Sequence, residues 1–200
     1  MKLRYLIATF ILALTSIGLC QAAVQIGQPA PMFTGTSMTG KQISLKQYKD
    51  KIVVLEWTNY QCPFVKKMYD SGKMEQLKSD YTGKGVVWLT VVSSAPGKQG
   101  YVTAQQAQKI YKDDKASAVI LDPSGDIGKL YNAKTTPEIF IINKKGKLVY
   151  MGAIDSIPST KVTDVAKANN YVETALNELL AGKAIAQAQT TPYGCSVKYH

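Results

Sequence analysis

Unbroken apolar runs recur along the chain, separated by stretches whose apolar positions return at helical spacing. "IVVLEW" (52–57), "GVVWLTVV" (85–92) and "AVILD" (118–122) lack an apolar–polar alternation, as expected of strands covered on both faces. Ahead of the first run, "GKQISLKQYKD" (40–50) reads as a short strand and a polar connection. After it, a helix is predicted from Pro63, interrupted near Ser71-Gly72 and resumed through Met74 and Leu77. The loop "SSAPGKQGY" (93–101) leads to a helix near Thr103, where Thr103 followed by Gln106 fits a capping box. "PSGDIGKLY" (123–131) predicts a turn and a short helix, and "IFIIN" and "KLVYMG" flank Lys144-Lys145-Gly146 as a hairpin. An amphipathic helix from about Asp164 to Leu180 closes the domain, and the small, polar residues 182–200 predict an extended tail. There are no internal repeats. The order joins parallel βαβ units to a final hairpin and a closing helix, which gives an α/β domain with a mixed central sheet between helices.

The first 22 residues follow another pattern. Lys2 and Arg4 precede an apolar stretch from Tyr5 to Leu19, and small residues follow. This is the layout of a signal peptide, cut after Ala22 or, as second choice, after Ala23; the stretch is short for a membrane anchor. Lipidation at Cys20 is disfavoured by the bulky Leu19 before it. Residues 23–181 then form one domain, and a chain of 200 residues with 46% hydrophobic composition suffices for its core. The product is expected to be exported, to a periplasm first of all, with no stable membrane association.

Cleavage also takes away the only arginine, Arg4, and leaves 22 lysines (24 basic residues less Lys2 and Arg4) against 14 acids. The lysines are scattered, so they predict a solvated basic surface and no nucleic-acid partner. The single histidine is the terminal His200, which argues against a histidine-rich metal site or an internal Cys–His dyad. No metal and no organic cofactor are expected. Two cysteines remain, Cys62 and Cys195, enough for one disulfide in an oxidising compartment.

"TNYQCPFVKK" (58–67) holds the candidate chemistry. A free cysteine with pKa ≈ 8.5 is only about 3% thiolate at pH 7. Cys62 falls at the predicted N-cap with Pro63 at the first helical position, where the helix dipole and free amides stabilise a sulfur anion. Lys66 and Lys67 add positive charge one turn on. The other reading of a lone cysteine is an inert small hydrophobe, against which this placement weighs. Glu56 interrupts an apolar strand, where a charge must be neutralised or paired. Either it is buried with a raised pKa and shuttles protons, or it pairs with a lysine at the sheet edge.

Five stretches in order, "GQPAPMF" (27–33), "GKQISLKQYKDKIVVLEW" (40–57), "CPFVKK" (62–67), "LDPSGDIGKLYNAKTTPEIFIINKKGKLVYMG" (121–152) and "PYGCSVKY" (192–199), resemble the peroxiredoxin-like redoxin proteins. These are relatives of the alkyl hydroperoxide reductase and thiol-specific antioxidant family in the thioredoxin superfamily. The resemblance implies a thioredoxin-like fold and a thiol-dependent oxidoreductase, acting by thiol–disulfide exchange or by antioxidant peroxide reduction. Its partners would be a protein disulfide or a peroxide, and an external thiol reductant. Cys62 would be the nucleophile and Glu56 the buried acid behind it. Thr136-Pro137 would be a cis pair facing the sulfur and binding an extended substrate, with Tyr60 and Phe64 at the rim unless they belong to the core. The second cysteine usual three residues later is replaced by Val65, and Cys195 would resolve from the tail, unless it is an exposed, unpaired thiol.

Two departures bear on the reaction. Peroxide binding in such proteins uses an arginine and a hydroxyl three residues before the cysteine. Here Thr58 is four residues before, which on a strand turns it to the other face, and the processed chain has no arginine. Lysine lacks arginine's planar fork, so Lys66 replaces it only in part. Thiol–disulfide exchange is therefore favoured over fast peroxide reduction. A non-catalytic, redox-regulated binding module that grips exported partners at Pro137 is the alternative. A copper carrier is disfavoured by the missing local cysteine and internal histidine.

Overall fold

A computed structural model describes residues 24–200; the proposed signal peptide, residues 1–22, lies outside them. The three long apolar runs form β3 (Val53–Trp57), β4 (Val87–Val92) and β5 (Ala118–Leu121), parallel to one another at the middle of a seven-stranded sheet. β7 (Glu138–Ile142) lies antiparallel to β3 and turns through the expected hairpin into β8 (Leu148–Gly152). At the other side β1 (Thr34–Ser37) pairs with β5, and β2 (Gln42–Ser44) with β1, both antiparallel. The order is β2-β1-β5-β4-β3-β7-β8, a mixed sheet as the element order predicts. β1 carries no run of apolar residues, so periodicity does not reveal it; position beside β5 makes it a strand.

Alternate side chains of the central strands feed two cores. Val53, Leu55 and Trp57 point with Leu89, Val91, Phe140 and Ile142 to one side, where α4 (Asp126–Tyr131) adds Ile127 and Tyr131. Val54, Trp88, Ile139 and Ile141 point to the other side. There α1 (Pro63–Asp70) adds Met68, α2 (Lys73–Gly83) adds Met74 and Leu77, and α5 (Tyr171–Leu180) adds Val172 and Leu176. The break between α1 and α2 falls at Gly72, where φ is +72°. The capping box forms at the start of α3 (Ala104–Ile110), with the Gln106 amide donating to Thr103 Oγ1 at 3.3 Å and the Thr103 amide to Gln106 Oε1 at 2.9 Å.

The closing helix is shorter than its apolar pattern predicts. Val162–Lys167 is a 3₁₀ helix, and α5 begins only at Tyr171. Asn170 causes the restart, because its side chain accepts the Glu173 amide at 2.8 Å and acts as an N-cap. After α5 the chain runs extended and stays on the domain. Thr190 bonds the β8 edge through the Met151 carbonyl at 3.2 Å and the Ala153 amide at 2.8 Å. Further on, β9 (Cys195–Ser196) pairs antiparallel with β6 (Thr135–Thr136), directly before β7.

Candidate active site

Cys62 is the N-cap of α1, with extended backbone (φ −76°, ψ 124°) and Pro63 at the first helical position. Its amide donates to the Asn59 carbonyl at 2.9 Å and its carbonyl accepts the Lys66 amide at 2.9 Å, so the residue is fixed from both sides. The side chain is fully buried. The Thr136–Pro137 bond is cis, and the Cys62 thiol donates to the Thr136 carbonyl oxygen at 3.1 Å. The bond is cis as the resemblance implies, and the carbonyl of the residue before Pro137 meets the sulfur.

Cys195 arrives from the tail. The antiparallel register sets it opposite Thr136, the same residue whose carbonyl meets Cys62. Both cysteines are thiols, within hydrogen-bonding reach of each other. Burial raises the Cys62 pKa, but the Cys195 thiol, the Val65 and Cys195 amides and the Thr136 side chain outweigh it, and the net direction is down. For Cys195 every major cause points up: burial first, then the hydrogen bond to Cys62 and the charge on Cys62, which push it up to about 11. The two sulfurs are thus shifted in opposite directions, Cys62 down and Cys195 up.

The remaining predicted residues divide around this pair. Glu56 is buried on β3 beneath α1 and α2. It accepts from Tyr69 Oη at 2.9 Å, Trp88 Nε1 at 3.0 Å and Thr90 Oγ1 at 3.2 Å, and lies 3.1 Å from Lys78 Nζ. Neither cysteine is among these partners. The lysine that pairs with it is a buried residue of α2, and β3 is an inner strand, so the expected sheet-edge lysine is corrected to a core one. Phe64 stacks edge-on against Tyr193 at 5.8 Å between ring centroids, which ties it to the tail. Tyr60, Lys66 and Thr58 line a separate cavity of about 330 Å³ with Val65, Tyr69 and Tyr111. Lys66 is not among the groups that lower the Cys62 pKa. Thr58 Oγ1 is buried without a hydrogen-bond partner and does not serve the sulfur, as its four-residue spacing predicts.

Similarity to known proteins agrees with this geometry. The model of the AhpC/TSA family matches residues 26–151. The chain belongs to the AhpC/TSA family. With membership comes the class of chemistry, that of a thiol-dependent oxidoreductase of the thioredoxin-like redoxin type. The chain is 32% identical over 127 residues to the "Thiol-disulfide oxidoreductase ResA" of Bacillus thuringiensis subsp. konkukian, covering 63% of this chain and 68% of that one. Among solved structures it resembles an uncharacterized conserved protein from Geobacillus kaustophilus with TM-score 0.74 and 25% identity, covering 88% of this chain and 93% of the other. A putative thiol:disulfide interchange protein DsbE from Chlorobium tepidum matches with TM-score 0.53 and 25% identity, over 64% of this chain and 85% of that one.

Sequence reasoning took Lys67 only as positive charge near the sulfur and missed its burial and its partners. Lys67, fully buried in α1, donates to Asp155 Oδ2 at 3.1 Å, the Ile157 carbonyl at 3.0 Å and Tyr193 Oη at 3.1 Å. Tyr193 in turn donates a short hydrogen bond to Asp155 Oδ1. Nothing local in the sequence marks Lys67 apart from its neighbour Lys66. Only the two-residue spacing of Tyr193 from Cys195 draws the eye.

Proposed function

We propose that this chain is an exported thiol–disulfide oxidoreductase in which Cys62 attacks and Cys195 resolves. The observation that carries the reading is the β6–β9 register, which sets Cys195 opposite the residue whose carbonyl touches Cys62. The Cys62 thiolate attacks one sulfur of a substrate disulfide; a mixed disulfide forms and the other substrate sulfur leaves as a thiolate that takes a proton. Cys195 then loses its proton, attacks the Cys62 sulfur and expels the second substrate sulfur. The substrate disulfide gains two electrons and becomes two thiols, while the chain is left with a Cys62–Cys195 disulfide that an external thiol reductant reopens. The pKa pattern suits this order. Two of the causes that raise Cys195 are the hydrogen bond and charge of Cys62, and both disappear once Cys62 is bound in a mixed disulfide. The resolving thiol thus becomes easier to ionise at the step that needs it.

Exchange is favoured over peroxide reduction for an electrostatic reason. Breaking a peroxide builds negative charge on the departing oxygen, and fixed donors must meet it. Thr58 turns to a different cavity, and with residues 1–22 removed no arginine remains. Export rests on the signal-like residues 1–22. The test is a side-by-side assay of the chain lacking those residues, with a protein disulfide and with hydrogen peroxide. Cys62→Ala should abolish exchange, and Cys195→Ala should accumulate a mixed disulfide at Cys62. Exchange that survives Cys62→Ala sinks the reading, and peroxide oxidation of Cys62 several decades faster than that of a free low-pKa thiol makes the chain a peroxidase. If Cys62 reacts with neither substrate, a redox-regulated binding role replaces catalysis.

A further inference from the structure

The proposed exchange reaction needs an open edge before Pro137, and that edge is already occupied. The extended backbone of Thr135–Thr136 is paired with Cys195–Ser196 of the same chain, and the pairing continues with the Val197 amide donating to the Lys134 carbonyl at 2.9 Å. The covering segment is anchored along its length. On one side of the pair the Ala95 amide donates to the Lys198 carbonyl at 2.8 Å, and Tyr199 Oη donates to the Ala133 carbonyl at 2.8 Å. On the other side stands Tyr193, whose hydroxyl accepts a hydrogen bond from Lys67 and donates one to Asp155 while its ring packs on Phe64. Lys67 has three donors and all three are used, one of them by the tail. Cys62 beneath is fully buried, whereas Cys195 is partly exposed.

We infer that residues 193–197 are an internal strand occupying the substrate edge, latched by Tyr193 on the buried Lys67–Asp155 pair, and that an extended polypeptide reaches Cys62 only by displacing them. Tyr193 is then a positioning residue with two consequences. It holds Cys195 over Cys62, which speeds closure of the internal disulfide, and it keeps foreign thiols and disulfides from the Cys62 sulfur. Gly194 shows how tight the seat is. Its φ of +140° favours glycine, and a methyl group there would land on the Thr136 carbonyl, 2.8 Å from the carbon and 3.3 Å from Pro137 N. A larger residue at 194 must therefore lift the strand without touching either sulfur or the core.

The inference rests on Cys62 being the nucleophile, yet its test does not. The reduced chain lacking residues 1–22 is treated with iodoacetamide, and modification of Cys62 is followed by peptide mass spectrometry beside hydrogen exchange of the Val197 amide. Tyr193→Ala should speed alkylation of Cys62 at least about tenfold, since even one lost hydrogen bond to a charged partner is of that scale. Gly194→Ala should speed it through its clash with the Thr136 carbonyl, and both should deprotect Val197. Amides of β3 and β4 should remain protected, which separates lifting of the tail from unfolding. Tyr193→Phe, which keeps the ring on Phe64, should fall between wild type and Tyr193→Ala. Closure of the Cys62–Cys195 disulfide after mild oxidation should slow in the same order. If both Tyr193→Ala and Gly194→Ala alkylate at the wild-type rate, the latch does not exist, whatever the exchange assay shows. If only Cys62→Ala fails to abolish exchange, the function is wrong and the latch stands.

Discussion

Lys67 and Lys78 are both buried, both paired with carboxylates, and held for different purposes. Lys78 lies 3.1 Å from Glu56 and 2.6 Å from Asp114, and donates to Tyr69 Oη at 2.7 Å. Burial works against its charge, but the two carboxylates outweigh it and the pKa is raised. Its partners all come from the body of the domain, none from the tail. Lys67 meets one carboxylate, Asp155, and takes another of its partners, Tyr193, from the tail. The first cluster is a permanent part of the core; the second is complete only while the tail is docked. A buried ion pair is weak evidence for stability by itself. What matters here is which elements supply the partners.

Substituting each lysine separates the two cases most strongly. Lys78→Met leaves Glu56 and Asp114 uncompensated under α2 and should destabilise the domain by about 3–5 kcal/mol in urea unfolding. The sign of the pH dependence follows from the raised pKa. The contribution of Lys78 is fully present below the ordinary lysine value of about 10.4 and is lost as pH rises through the raised one. A loss under about 1 kcal/mol would mean that the cluster is not the fixed support described. Lys67→Met leaves a single carboxylate that still accepts from the Ile157 amide at 2.9 Å and from Tyr193. It should cost less, about 1–3 kcal/mol, and its larger effect should be faster exchange of the Val197 amide. Equal losses from the two substitutions, with Val197 still protected, would erase the distinction.

Glu56→Gln sharpens the comparison from the catalytic side. With Tyr69, Trp88, Thr90 and Lys78 as its partners, Glu56 is expected to act on stability, and the rate of Cys62 alkylation or exchange should change by less than about tenfold. A loss of about 100-fold or more, with a changed pH profile, would restore the proton shuttle. The smallest effect concerns the thiols themselves. Wild-type alkylation should titrate in two steps, the lower shifted down from an ordinary cysteine's and the upper near 11, steps that belong to the coupled pair. Cys195→Ala removes a donor to the Cys62 sulfur, so the lower midpoint should move up. A midpoint that does not move would take Cys195 out of the thiol pair.

How much of this was legible depended on the range of the signal. The runs at 52–57, 85–92 and 118–122 announced β3, β4 and β5, because a strand buried on both faces needs no polar alternation. Pro63 after Cys62 announced the helix start that carries the sulfur, and Thr103 with Gln106 announced the next cap. The likeness of "TTP" and "PYGCSVKY" to family motifs pointed to Pro137 and Cys195. Against these, Asn170 moved the start of the closing helix, since a cap three residues from Glu173 outweighs an apolar period that continues through it. The lysine chosen by Glu56, the burial of Lys67 rather than Lys66, and the pairing of Thr136 with Cys195 were not legible at all.

The sequence by itself determined the order of the central strands and the helices between them, the placement of Cys62 at a helix N-terminus, and the restriction to two thiols once residues 1–22 are removed. Those are consequences of periodicity, capping and composition, which act over a few residues. Tertiary structure decided which charge neutralises which, and it laid residues 193–197 along the edge before Pro137. Hydrogen bonds and ion pairs between residues 59 or 126 positions apart, as in Thr136 with Cys195 and Lys67 with Tyr193, are chosen by burial. A buried donor without a partner is expensive, and only the assembled fold determines which acceptor lies within reach.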